Sequence, residues 1–266
     1  MPLLVNRTDT QRFVALFVGD AHSGKTVAEA SFPKPNFFFD FDLKIGGAQV
    51  PWLDLKDIEY ESYPPKTPNL VQKLENKIEM FCNQATIQNG TFGSLPKTIC
   101  VDSLTWMTFA FTCQSLGLTH LKTNEKGQEY KSGRWIGPTA MLGPEDYGFE
   151  AQKTYDIIAD LKSLPVPNII ISAHLIDTYE KPEGDPYAAS VLSDTKKLSV
   201  RDKIGVNVKA GVEHVFEFTR EKFGNNERFY VTFRGGVAFS SWSWLPYGRQ
   251  EWTGRNFYEF MLGFKK

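Results

Sequence analysis

The chain predicts an α/β fold: a mainly parallel, doubly wound sheet flanked by helices and finished by a C-terminal antiparallel hairpin. Three observations carry this expectation. Near-continuous apolar runs of strand length, the kind covered on both faces, alternate with stretches of helical periodicity. A glycine-rich turn stands between the first apolar run and the first helical stretch. Beyond Gly205 the pattern changes to alternating runs on either side of Gly224-Asn225-Asn226, which reads as an antiparallel pair.

The elements follow in order. Phe13 to Val18 is the first strand, and Val27 to Ala30 begins a helix that Ser31-Phe32-Pro33-Lys34-Pro35 breaks. Asn36 to Asp42, rich in phenylalanine, is the second strand. Leu70, Val71, Leu74, Ile78 and Phe81 recur at helical spacing, so Leu70 to Phe81 is a helix before the strand Lys97 to Asp102. Tyr147 to Leu164 repeats the pattern and leads through Pro165-Val166-Pro167 into the strand Asn168 to Ala173. Val212 to Thr219 and Arg228 to Phe233 form the hairpin. The tail from Ser240 holds Trp242, Trp244, Tyr247, Trp252, Phe257, Tyr258, Phe260 and Phe264, expected to pack on the core with some use at an interface. The 266 residues, 41% hydrophobic, suit a single domain over 1–266, with a core at about 13–175 and the hairpin and tail at about 205–266.

Charge excludes a global polyanion binder. The 30 basic and 31 acidic residues nearly cancel, so any nucleic-acid site must be a local patch, and nothing draws the chain to an anionic membrane. Cys82, Cys100 and Cys113 lack metal-ligand spacing and point to a reducing compartment. No run approaches the roughly 20 apolar residues of a membrane span, so a soluble, cytoplasmic protein is expected.

The segment Gly19-Asp20-Ala21-His22-Ser23-Gly24-Lys25-Thr26 fits G-x-x-x-x-G-K-[ST] between a strand and a helix. Glycines let the backbone curl until successive N–H groups point at a phosphate, and the helix adds its positive end. Lys25 reaches the β/γ-phosphates and Thr26 offers a hydroxyl to Mg²⁺, so a nucleoside triphosphate with Mg²⁺ is the expected ligand. Carboxyl ends of parallel strands present chemistry to such a ligand. Asp102, ending its strand before Ser103, suits a Walker B acid holding Mg²⁺. Asp42 is the first choice to orient and deprotonate the attacking water, with Asp40, on the same side, as the alternative. His174, at the end of the fourth strand, is placed to sense the γ-phosphate.

The array LFVGDAHSGKT, SFPKPNFFFDFD, TICVDSLTWM and PEDYGFEAQKTYDIIADLKSLPVPNIIISAHL resembles the RecA-like P-loop ATPases encoded by bacteriophages, the group associated with single-strand annealing and recombination. The resemblance spans about residues 13 to 175. It implies that Lys25 and Thr26 are the Walker A pair, Asp42 the catalytic acid and Asp102-Ser103 the Walker B element. His174 takes the position where RecA carries a glutamine that couples nucleotide state to DNA. This chain departs in having Asp42 where RecA has glutamate, and in His22 within the loop, so ATP binding is better supported than brisk turnover.

The resemblance also points to single-stranded DNA, held by two loops. The first, about Thr119 to Gly143, offers Lys122, Lys126, Tyr130, Lys131, Arg134 and Trp135; the second, about Ile176 to Gly205, offers Lys196, Lys197, Arg201 and Lys203. Cations along a phosphate backbone and aromatics under bases are what sequence-tolerant binding needs. It further implies a homo-oligomer with ATP at the subunit interface, a cation from the neighbour completing the site, and phage replication or recombination proteins as partners. Arg234 is the first choice for that cation, with Arg220 and Lys209 competing. Two other readings stay open: a P-loop motor or loader, and a nucleotide-gated protein adaptor with little hydrolysis.

Overall fold

The computed structural model describes residues 12–45, 56–87, 95–116, 122–123, 129–131, 134–135, 144–180, 191–223, 226–234, 245–253 and 256–265. Apolar runs become strands where both faces are covered. β1 (Phe13–Gly19), β2 (Asn36–Asp40) and β4 (Thr98–Asp102) are buried at every position. β8 (Asn168–Glu180) lies between β1 and β4, and β3 (Ile58–Ser62), which sequence reasoning missed, forms the edge beside β2. β10 (His214–Phe223) joins the other side of β1, followed outward by β11 (Asn226–Arg234) and β12 (Gly248–Trp252).

The resulting sheet has nine strands, in the order β12-β11-β10-β1-β8-β4-β2-β3, with β9 (Val191–Leu198) paired to β8. From β10 to β3 every neighbouring pair is parallel, while β11, β12 and β9 are antiparallel additions. The mainly parallel sheet with a C-terminal antiparallel hairpin is thus as expected.

Alternation divides the core into two layers. Val14, Leu16 and Val18 of β1, Ile99 and Val101 of β4, and Ile169 and Ile171 of β8 face one helical layer. That layer comprises α2 (Leu70–Ile87), α3 (Leu104–Ser115), α4 (Pro144–Ser163) and α5 (Asp202–Gly211). Phe13, Ala15, Phe17, Cys100 and Ile170 face the other, where α1 (Lys25–Ala30) and α6 (Phe257–Leu262) pack. α6 is fixed at its start: Asn256 Oδ1 accepts the Glu259 N–H at 3.0 Å, and Ser31 Oγ accepts the N–H groups of Phe257 and Tyr258 at 3.0 and 3.1 Å. The described part of the aromatic tail therefore packs on its own core, with Trp252 and Phe257 buried and Tyr247 exposed; Trp242 and Trp244 lie outside the described residues.

The region 176–205, expected as a loop, contains regular structure instead. β8 continues past its parallel partners because β9 takes over as an antiparallel partner, pairing Leu175 with Leu198, Ile176 with Lys197 and Asp177 with Lys196. Leu198 anchors the return strand in the core, and α5 follows with Ile204 and Val208 buried. The earlier insertion is not structureless either: β5 (Lys122–Thr123), β6 (Glu129–Lys131) and β7 (Arg134–Trp135) form a small antiparallel sheet. Among the described residues, no helix is long and apolar enough to cross a membrane.

Candidate nucleotide site

The turn after β1 is tight enough to demand its glycines. A Cβ on Gly19 would stand 2.3 Å from the Phe218 carbonyl oxygen. At Gly24 the backbone is left-handed, with φ of 98°, and a Cβ would meet the Trp252 ring at 2.9 Å. Trp252 of β12 thus lies directly against the loop, tying the C-terminal strands to it. Lys25 is buried and its ammonium donates to the carbonyls of Gly19 and Asp20 at 2.9 and 2.8 Å, bridging the start of the loop. Burial lowers its pKa, opposed by the negative charges of Asp102 and Glu29.

On the α1 side of the sheet, even-numbered residues of β2, β4 and β8 face the helix: Phe38, Cys100 and Ile170 supply the apolar part, and polar residues follow at the carboxyl ends. Thr26 Oγ1 donates to Asp102 Oδ2 at 2.8 Å, and Ser172 Oγ donates to Asp102 Oδ1 at 2.7 Å. Burial pushes the Asp102 pKa up, as does neighbouring Asp42, while the bonds from Ser172 and Thr26 oppose this. A hydroxyl and a carboxylate in contact are hard oxygen donors, the set that Mg²⁺ takes alongside phosphate oxygens, so Thr26 and Asp102 fit the ion expected of them.

Asp42 lies just past the end of β2, turned into the site because the N–H groups of Phe41 and Asp42 both reach the Asp102 carbonyl, at 2.6 and 3.0 Å. Its Oδ1 accepts from Ser103 at 2.7 Å; its Oδ2 accepts from Lys44 at 2.9 Å and lies 2.8 Å from His174 Nε2. Burial opposes ionisation, but hydrogen bonds from His174, Lys44 and Ser103 outweigh it and hold the Asp42 pKa at about 2. An ionised carboxylate only accepts, so His174 Nε2 carries the proton in this contact. Asp40 differs: its oxygens accept the Lys44 and Ile45 N–H groups at 3.2 and 3.4 Å and the Ser62 hydroxyl at 3.2 Å, which fixes the turn and the edge strand. Geometry therefore brings Asp42, not Asp40, to Ser103 and His174.

His174 is inside β8 rather than at its tip, yet it is the last β8 residue paired with β1, level with Gly19. Its N–H donates to Thr105 Oγ1 at 3.0 Å, linking it to the start of α3. The expected set Lys25, Thr26, Asp42, Asp102 and His174 is thus brought to one edge of the sheet, joined by the contacts above.

Sequence reasoning missed several neighbours. Ser172, two residues before His174 on the same face, was hidden in an apolar run, although a polar residue there is itself the signal. Glu29, one helical turn after Lys25, is fully buried with neither oxygen in a hydrogen bond of good geometry; burial and Asp102 push its pKa well up. Lys44 and Thr105 complete the list of unexpected contacts.

The remaining expected residues fall elsewhere. Lys126 lies outside the described residues, while Lys122, Tyr130, Lys131, Arg134 and Trp135 sit on the β5–β7 sheet, with Tyr130 opposite both Lys122 and Trp135. In the second region, Lys197 and Lys203 are exposed. Arg201 is engaged internally, bonded to buried Glu150 at 2.5 Å and stacked 3.6 Å over the Tyr147 ring, and Lys196 bonds Asp20 at 2.6 Å. Arg234 pairs with Glu217 at 2.6 Å, opposite Val215 and therefore level with Leu16, away from the sheet edge that carries the phosphate loop. Within its own chain it does not complete the site. Arg220 pairs with Glu227 at 2.6 Å, and Lys209 is exposed in the last turn of α5.

A phosphate-loop motif leaves a central parallel strand, and acids and a histidine arrive from the strands beside it, which is the arrangement of a P-loop α/β fold. No protein-family model matches this chain, and no curated protein matches it in sequence. Among solved structures, the chain is similar to a KaiC-like protein from the hyperthermophilic archaeon Pyrococcus horikoshii OT3, with 13% identity over 90% of this chain and 88% of that one and a TM-score of 0.43. It is also similar to the flagellar accessory protein FlaH from Methanocaldococcus jannaschii, with 10% identity, 84% and 77% coverage and a TM-score of 0.40.

Proposed function

We propose that this protein binds ATP with Mg²⁺ and hydrolyses it, and that it uses the nucleotide to control binding of single-stranded DNA in phage-type annealing or recombination. The observation that supports the ATPase half best is the joined set Thr26–Asp102 and Asp42–His174 beside the Lys25 ammonium. Loop N–H groups and Lys25 would neutralise the phosphates, while Thr26 and Asp102 would hold Mg²⁺, which would supply charge neutralisation at the phosphate oxygens as the γ-phosphoryl group passes to water. Asp42 positions the attacking water. Its carboxylate has about four acceptor sites, three are filled by Ser103, Lys44 and His174, and one remains for that water. A pKa near 2 makes Asp42 a weak base, so its part is orientation more than early proton removal.

The DNA half rests on the resemblance of the motif array and on the cations and aromatics in the segments after α3 and β8. Assembly, with Arg234 reaching a neighbour's nucleotide, belongs to the same reading. Fluorescence anisotropy with labelled single and double strands, with and without ATP and Mg²⁺ across a salt series, tests it. Single-strand binding that strengthens with ATP and falls steeply with salt is expected. Salt-independent or absent binding would favour an adaptor, and strand separation driven by turnover would favour a motor.

A further inference from the structure

Lys196 of β9 was expected among DNA-contacting residues, but its ammonium is 2.6 Å from Asp20 Oδ2 and 3.4 Å from Asp177 Oδ1. Asp20 is the second residue of the phosphate loop. Its carbonyl accepts from the Lys25 ammonium at 2.8 Å, and that ammonium marks the end of the cradle meant for the terminal phosphates. A lysine from the hairpin after His174 thus stands at the terminal-phosphate end of the loop. Lys196 pairs across the hairpin with Asp177, three residues beyond His174, so one short ribbon carries both the histidine and the lysine. A triphosphate entering the loop would place several negative charges beside the Asp20 carboxylate. The Lys196 ammonium, already on that carboxylate, is a group able to relieve that repulsion, and its flexible stem is about two-fifths exposed.

We propose that Lys196 is a nucleotide ligand supplied within the same chain, passing from Asp20 to the terminal phosphate of a bound triphosphate and so tying the β8–β9 hairpin to the nucleotide state. The inference rests on the nucleotide-binding reading above. It makes Lys196 part of the ATP site instead of the DNA surface.

Calorimetric titration of the full chain with ATPγS and with ADP, each with Mg²⁺, tests it using Lys196→Met and Lys196→Arg. Lys196→Met should lose about tenfold in ATPγS affinity, the scale of one charge-assisted hydrogen bond, with ADP affinity changed less than about twofold. Lys196→Arg should keep most of the ATPγS affinity, and ADP binding serves as the folding control. Equal losses for both nucleotides, or no loss for either, would overturn the role of Lys196. Failure of the unaltered protein to bind ATPγS would instead reject the nucleotide site itself.

Discussion

The side chains at the sheet edge hold one another in defined charge states. His174, Lys44 and Ser103 keep Asp42 ionised, whereas burial and the neighbouring Asp42 push the Asp102 pKa up against the support of Ser172, Thr26 and the Lys25 charge. The two acids should therefore respond differently to neutralisation. Asp42→Asn keeps the volume and leaves the phosphate loop intact, so ATP affinity should stay within about threefold while turnover falls about 10²–10⁴-fold, as measured by single-turnover phosphate release. Asp102→Asn should instead weaken the Mg²⁺ dependence of ATP binding, read from a metal titration at fixed ATP. The choice between Asp40 and Asp42 was not legible in the sequence, because alternation puts both on one side; only the turn at Lys44 and Ile45, which captures Asp40 by its N–H groups, separates them.

Elements carry the site through packing that local sequence does not reveal. Gly24 fits against Trp252, two distant points in the chain that meet because β12 closes beside the hairpin. Gly24→Ala would combine a left-handed φ with a clash, and should cost about 2 kcal/mol or more of stability in chemical denaturation as well as nucleotide affinity. His214, at the start of β10, stacks on Phe13 with ring centres 5.3 Å apart, and burial holds its pKa down to about 4. Protonation then favours the unfolded chain, whose histidine titrates near 6.5. Stability from this group is complete above about pH 6.5 and is lost as pH falls toward 4, and His214→Phe should flatten that part of a denaturation-midpoint profile. The buried parallel strands were legible because both faces are apolar. β3 was not, since its residues are half-buried or exposed, and the continuation of β8 was hidden because its partner β9 lies beyond a separate stretch of chain.

At the scale of the whole molecule, the phosphate loop, four strand ends and the β8–β9 hairpin act as one cluster on the carboxyl edge of the sheet. Replacing Lys122, Lys126, Lys131 and Arg134 together should weaken single-strand binding without altering ATP affinity, measured by anisotropy; unchanged DNA affinity would remove that insertion from the surface. The fold class and the placement of Lys25, Thr26, Asp102 and His174 at the carboxyl edge of the sheet could be read in sequence because a glycine-rich motif and polar residues closing apolar runs carry their own spacing. Lys196 and Glu29 could not, since their meaning comes from contacts across the fold. The decisive measurement is Mg²⁺-dependent ATP binding and single-turnover hydrolysis by the unaltered chain, Lys25→Ala and Asp42→Asn side by side. Binding lost in Lys25→Ala, and binding kept with hydrolysis lost in Asp42→Asn, is the expected result; ATP bound equally by all three, or hydrolysed normally by Asp42→Asn, would contradict the site described.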